Sequence, residues 1–135
     1  NKDENFMFTH GDGVSNVNIK NLYLFHKKNK KLVTVTAVRP PARFGELTLK
    51  KNRVLNFKEK PQVSEGWING GFFVAKYNFF KLIRGDSTIL EKDPLEDATR
   101  NKQLYAFKHH GFWKCMDTYR DKKVLEEAFK KNKFN

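Results

Sequence analysis

An α/β fold built on a mixed sheet is what this 135-residue chain predicts, and three observations predict it. Asn5-Phe6-Met7-Phe8 reads as a short buried strand, and Leu32–Val38 as a longer one rich in β-branched residues. Between them, Asn18 opens a run that sets Ile19, Leu22, Phe25 and His26 on one helical face. Strand, helix, strand at this spacing is a βαβ unit, which makes the sheet at least partly parallel. The length suits one domain with a modest core. Hydrophobic content of 39% and aromatic content of 14% supply a packed interior rather than disorder.

The remaining elements follow in order. Thr9-His10-Gly11-Asp12-Gly13 is a turn directly after the first strand. The first helix stops in Lys27-Lys28-Asn29-Lys30-Lys31, and Pro40-Pro41 terminates the second strand. Leu47–Leu49 and Val54–Phe57 flank Lys50-Lys51-Asn52 as a β-hairpin. Ile68–Val74 is a strand, Tyr77–Ile83 has helical spacing with Gly85 as its C-cap, and Pro94 opens a helix through Arg100. Leu104–Lys108 is a further strand. Asp117-Thr118 caps a final helix, Tyr119–Lys131, with Val124, Leu125, Ala128 and Phe129 on its apolar face. His26 reads as a helix-face residue rather than a ligand.

Charge and composition exclude several functions. The net charge of +12 comes mostly from lysine clumps at expected turns and helix ends, without the interleaved aromatics of a stacking platform, so nucleic acid is not the expected partner. No apolar run approaches the ~20 residues a membrane helix needs, and no signal-peptide pattern opens the chain. A single cysteine, Cys115, rules out an internal disulfide and fits a cytoplasmic setting. His109, His110, Cys115 and Asp117 are close in sequence, but adjacent histidines point to opposite sides of an extended chain, so zinc is not expected.

Two stretches carry the candidate chemistry. Strand carboxyl ends in open α/β sheets are where ligands and metals bind. Gly11 and Gly13 let a phosphate or an ion approach the backbone there, and Asp12 supplies the hard oxygen that Mg²⁺ prefers. From Phe57 to Val74, Pro61 biases Lys60 toward extended backbone and leaves Glu59 and Lys60 at a strand tip, ahead of Trp67-Ile68-Asn69-Gly70-Gly71. A glutamate, a lysine, an asparagine and bare backbone at one strand end suit a small polyhydroxyl or phosphorylated ligand. On pattern alone the same stretch is equally a hairpin with solvated charges and a glycine bulge.

Phe6–Val14, Thr36–Gly45, Glu59-Lys60-Pro61, Gly66–Val74, Gly85–Thr88 and His110–Trp113 through Met116-Asp117-Thr118 resemble, in order, the motifs of glucose-1-phosphate cytidylyltransferases. These enzymes fall within the sugar-phosphate nucleotidyltransferases. The resemblance implies a three-layer Rossmann-like domain that joins CTP and glucose 1-phosphate into CDP-glucose and pyrophosphate with Mg²⁺. It implies Asp12 and Asp117 as the carboxylates holding the ion and Lys60 as the grip on the sugar phosphate. Glu59 and Asn69 are implied to hydrogen-bond glucose hydroxyls, with Gly70 letting the sugar lie against backbone; Trp67 either walls the site or packs in the core.

The family's Gly-rich nucleotide loop, with its arginine and lysine, has no counterpart in these 135 residues. Residues 1–135 therefore match the C-terminal portion of such a domain, the acceptor side of a transferase site, and little or no activity is expected of the chain alone. A half domain is expected to expose sheet edge and to form homo-oligomers. The alternative is a sugar-phosphate-binding or interaction module without catalysis.

Overall fold

The computed structural model describes residues 4–40, 46–58 and 66–131. Along the chain run β1 (Asn5–Thr9), β2 (Gly13–Ser15), α1 (Ile19–Asn29), β3 (Val33–Val38), β4 (Glu46–Lys50), β5 (Arg53–Lys58) and β6 (Ile68–Lys76). A 3-10 helix (Tyr77–Leu82), α2 (Asp93–Arg100), β7 (Leu104–Lys108), β8 (Trp113–Cys115) and α3 (Tyr119–Lys130) complete it. Four strands form the main sheet in the order β1-β6-β3-β7. β6 runs antiparallel to both β1 and β3, whereas β3 and β7 are parallel. The sheet is mixed, as the sequence predicts, with β6 inserted between the two parallel strands of the βαβ unit.

Side-chain alternation on the strands builds two cores. Val33, Phe73 and Ala75 face Phe79 of the 3-10 helix and Leu95 and Ala98 of α2. On the opposite side α1 buries Leu22 and His26. His26 contacts Thr34 Oγ1 through Nδ1 at 2.9 Å and Asn5 Oδ1 through Nε2 at 3.2 Å, so it is a core histidine with both ring nitrogens engaged. Asn18 caps α1 as expected, its side chain accepting from Asn21 N. The layers are thus α1, the sheet, and the 3-10 helix with α2.

Three expectations change. β1 is an edge strand, not a buried one: Phe6 and Met7 are 38% and 43% exposed, because β6 covers one edge and, among the described residues, no strand pairs with the other. Tyr77–Leu82 is a 3-10 helix. The tighter winding sends buried Phe79 inward and sets Phe80 edge-on to Phe6 at 5.1 Å. Gly85 is not a helix cap but part of a turn in which Thr88 Oγ1 accepts from the backbone N–H of Arg84 and Gly85.

β4 and β5 form the expected hairpin as a separate two-stranded ladder. No helix among the described residues is long and apolar enough to cross a membrane. Glu59, Lys60 and Pro61 lie outside the described residues.

Candidate functional site

β2 and β8, each of three residues, pair antiparallel with Gly13 opposite Cys115 and Ser15 opposite Trp113. Neither strand is visible in the sequence, since three residues are too few to show alternation. Their pairing is pinned at Phe112, whose carbonyl accepts from Ser15 Oγ (2.8 Å) and Asn16 N (3.2 Å). The ladder continues one step: Met116 N donates to the carbonyl of Asp12 at 2.9 Å. A segment at the carboxyl end of β1 and one more than a hundred positions later thereby meet, bringing the backbones of Asp12 and Asp117 to the same ladder end. Both residues are exposed.

The approach to α3 fixes the Asp117 segment. Thr118, not Asp117, is the N-cap. Its Oγ1 accepts from Asp121 N, and Asp121 Oδ2 accepts in return from Thr118 N at 3.1 Å, a reciprocal capping box. Lys114 Nζ lies 2.5 Å from Asp121 Oδ1. That ammonium, and then the Thr118 hydroxyl, hold the Asp121 carboxyl well below the usual carboxylate range. Asp117 Oδ2 accepts from Cys115 Sγ at 3.3 Å.

Beside this pair lies the start of β6. The register between β3 and β6 shifts between Val35 and Ala37, a bulge at Gly70-Gly71. Gly71 has φ +77°, and a Cβ there meets the His10 ring at 3.1–3.2 Å. A Cβ on Gly70 meets Thr36 O and Val38 Cγ1 at 2.9 Å, so close strand packing accounts for the glycine, and the Gly70 carbonyl accepts from Trp113 Nε1 at 2.8 Å. Asn69 is exposed, with Oδ1 accepting from Gly71 N at 2.8 Å, which holds its side chain over the bulge. Gly11 is exposed, with open space where a Cβ would stand.

The sequence-predicted residues thus fall into two groups. Gly11, Asp12, Asn69, Gly70 and Asp117 lie around the β1 carboxyl end, the β6 amino end and the β2–β8 ladder. Glu59 and Lys60 lie outside the described residues. Two features escape sequence reasoning: the Trp113 indole on the Gly70 carbonyl and the Lys114–Asp121 pair. Neither has a local signal, because Gly70 lies 43 positions from Trp113 and Lys114 and Asp121 sit on different elements.

Among the described residues no group of three or more His, Cys, Asp or Glu side chains is arranged to hold a metal. Asp12 and Asp117 are exposed carboxylates, the ligand type that suits Mg²⁺, a hard cation commonly held by one or two carboxylates and completed by substrate phosphate and water.

Comparison with known proteins gives a consistent picture. A model of the nucleotidyl transferase family matches residues 1–121. A glucose-1-phosphate cytidylyltransferase of Salmonella typhimurium is 46% identical over 131 residues, covering 97% of this chain and 51% of its own length. A glucose-1-phosphate cytidylyltransferase of Salmonella typhi is likewise 46% identical, with the same coverage. The solved structure of HddC from Yersinia pseudotuberculosis superposes with a TM-score of 0.62 at 19% identity, over 93% of this chain and 55% of that one. The chain spans about half the length of the curated relatives it matches.

Proposed function

We propose a function from one premise: the chain belongs to the nucleotidyl transferase family. In our reading it carries the sugar-phosphate side of a glucose-1-phosphate cytidylyltransferase, which makes CDP-glucose and pyrophosphate from CTP and glucose 1-phosphate. The observation that carries this reading is the Met116–Asp12 hydrogen bond, which extends the β2–β8 ladder so that Asp12 and Asp117 share one end of it.

Each residue then has a task. Asp12 and Asp117 would hold Mg²⁺, which when bound offsets negative charge on the reacting phosphates. Lys60 holds the sugar phosphate as a point charge. Glu59 and Asn69 accept from glucose hydroxyls, and the bare backbone at Gly11 lets the phosphate approach. Gly70 keeps β6 close to β3 and so brings Asn69 within reach of the same ligand. The sugar phosphate's oxygen attacks the α-phosphorus of CTP as pyrophosphate leaves, so these residues serve by orienting the nucleophile. The cytoplasm as the compartment and self-association of the chain belong to the same proposal.

The test is direct. Glucose 1-phosphate binds this chain and binds about tenfold more weakly after Lys60→Ala, as expected for loss of a charged hydrogen bond. CTP and glucose 1-phosphate together yield little CDP-glucose, because the sequence lacks a Gly-rich loop to grip the leaving pyrophosphate. Unchanged binding after Lys60→Ala, or turnover near that of the full-length Salmonella relative, overturns the assignment.

A further inference from the structure

Three cationic or ionisable side chains, from the ends of two strands, converge on one indole at the start of a third. Arg39 follows β3, Trp67 precedes β6, and Lys108 closes β7. Arg39 Cζ lies 4.4 Å from the Trp67 ring centroid, Lys108 Nζ lies 5.3 Å from it, and the His110 ring meets it edge-on at 5.4 Å. The register puts them together, since Val38 pairs with Ile68 and Ala37 with Lys108. Asn69, two residues beyond Trp67, stands at the same strand end.

Ring contact alone does not explain the gathering. A cation over an exposed aromatic face gains little, and a second cation on the same ring adds like-charge repulsion to the first. Among the described residues neither Arg39 nor Lys108 has a carboxylate within 4 Å to offset that repulsion. Both are exposed, while the indole is half-buried and holds them from behind. The chemistry of the pair suits an anion, for which a planar guanidinium offers paired donors and an ammonium a point charge.

We propose that Arg39 and Lys108, ranged against Trp67, form an anion subsite that takes the phosphoryl group of a small phosphorylated ligand. The identity of the ligand as a sugar phosphate rests on the reading above. The subsite itself rests on the cluster and adds two recognition residues which that reading does not contain.

The experiment is calorimetric titration with inorganic phosphate, glucose 1-phosphate and glucose, at low and moderate salt. Four proteins are compared: the unaltered chain, Arg39→Gln/Lys108→Gln, Lys27→Gln/Lys28→Gln and Lys60→Ala. The second pair removes the same charge from the far end of α1 and controls for net charge. The subsite predicts that Arg39→Gln/Lys108→Gln weakens phosphate and glucose 1-phosphate by about tenfold or more, the loss expected for charge-assisted hydrogen bonds. Lys27→Gln/Lys28→Gln changes them by less than roughly twofold, as for isolated surface charges. Equal weakening by both pairs, or no saturable binding of either phosphate by the unaltered chain, overturns it. Should Lys60→Ala leave glucose 1-phosphate binding intact while Arg39→Gln/Lys108→Gln weakens it, the subsite stands and the Lys60 assignment falls. The reverse pattern overturns the subsite and keeps Lys60.

Discussion

Gly70 sits where β6 passes against β3, and the atoms nearest to an added methyl are a carbonyl oxygen and a buried valine at 2.9 Å. The oxygen belongs to backbone and cannot swing aside. Gly70→Ala is therefore expected to destabilise the chain by about 1–3 kcal/mol, the usual cost of overpacking, read as a lower urea midpoint. Gly11→Ala, with open space around it, is expected to stay within about 0.5 kcal/mol of the unaltered chain. His26 gives a second prediction at this scale. Burial first, and the nearby Lys76 charge second, push its pKa below 6.5. The unfolded chain therefore binds the proton more readily than the folded one, so stability is highest above pH 6.5 and is lost as pH falls through that value. Urea titrations at pH 7.5 and 5.5 should show this loss, and His26→Gln should shrink it; an equal loss in the variant contradicts the assignment. The sequence singles out Gly70 and Asn69 and reads the glycine either as room for a ligand or as a bulge, not as close packing against β3. The Thr36 oxygen that needs it is 34 positions away, a distance no local pattern encodes.

At the scale of elements, the start of α3 governs how Asp117 is presented. The capping box and the Lys114–Asp121 pair both anchor the turn that carries it. Thr118→Ala is expected to cost about 1 kcal/mol, as for other lost N-caps. Asp121→Asn is expected to lose stability at pH 7, because the lowered carboxyl pKa means its contribution is present above the ordinary carboxylate value and vanishes on acidification below it. Equal urea midpoints for Asp121→Asn and the unaltered chain at pH 7 contradict this. The helix and its cap region were readable from Thr118 and the apolar spacing of Leu125 and Ala128. The β2–β8 ladder was not, because a three-residue strand carries no periodicity and its partner lies about a hundred residues away. β1 was legible as a strand but not as an edge, since Phe6-Met7-Phe8 has the composition of a strand covered on both sides.

At the scale of the whole molecule, two apolar surfaces stand uncovered among the described residues. One is the β1 edge. The other is the hairpin, where Leu47 pairs with Phe57 and Leu49 with Val54, and cross-strand partners share a face. Leu47, Leu49, Val54, Leu55 and Phe57 are all about half exposed, between 49% and 59%. Contiguous apolar surface of this kind marks association sites. Sedimentation equilibrium is expected to show species above monomer mass, and Leu47→Lys/Phe57→Lys to reduce them; a strictly monomeric unaltered chain contradicts it. The α/β class, the element order and the mixed sheet were legible because periodicity, β-branching and turn residues are local signals. Which strands adjoin, and so which side chains meet, depends on long-range pairing.

In our proposal Asp12 and Asp117, whose backbones meet at the β2–β8 ladder, would act together on a metal-bound sugar phosphate. Its most direct test is the affinity of the chain for glucose 1-phosphate in Mg²⁺ and in EDTA, for the unaltered chain, Asp12→Asn and Asp117→Asn. Mg²⁺ is expected to tighten binding by about tenfold in the unaltered chain, a charged contact's worth, and either substitution to remove the gain. Equal affinity with and without Mg²⁺, or a gain that survives both substitutions, contradicts it.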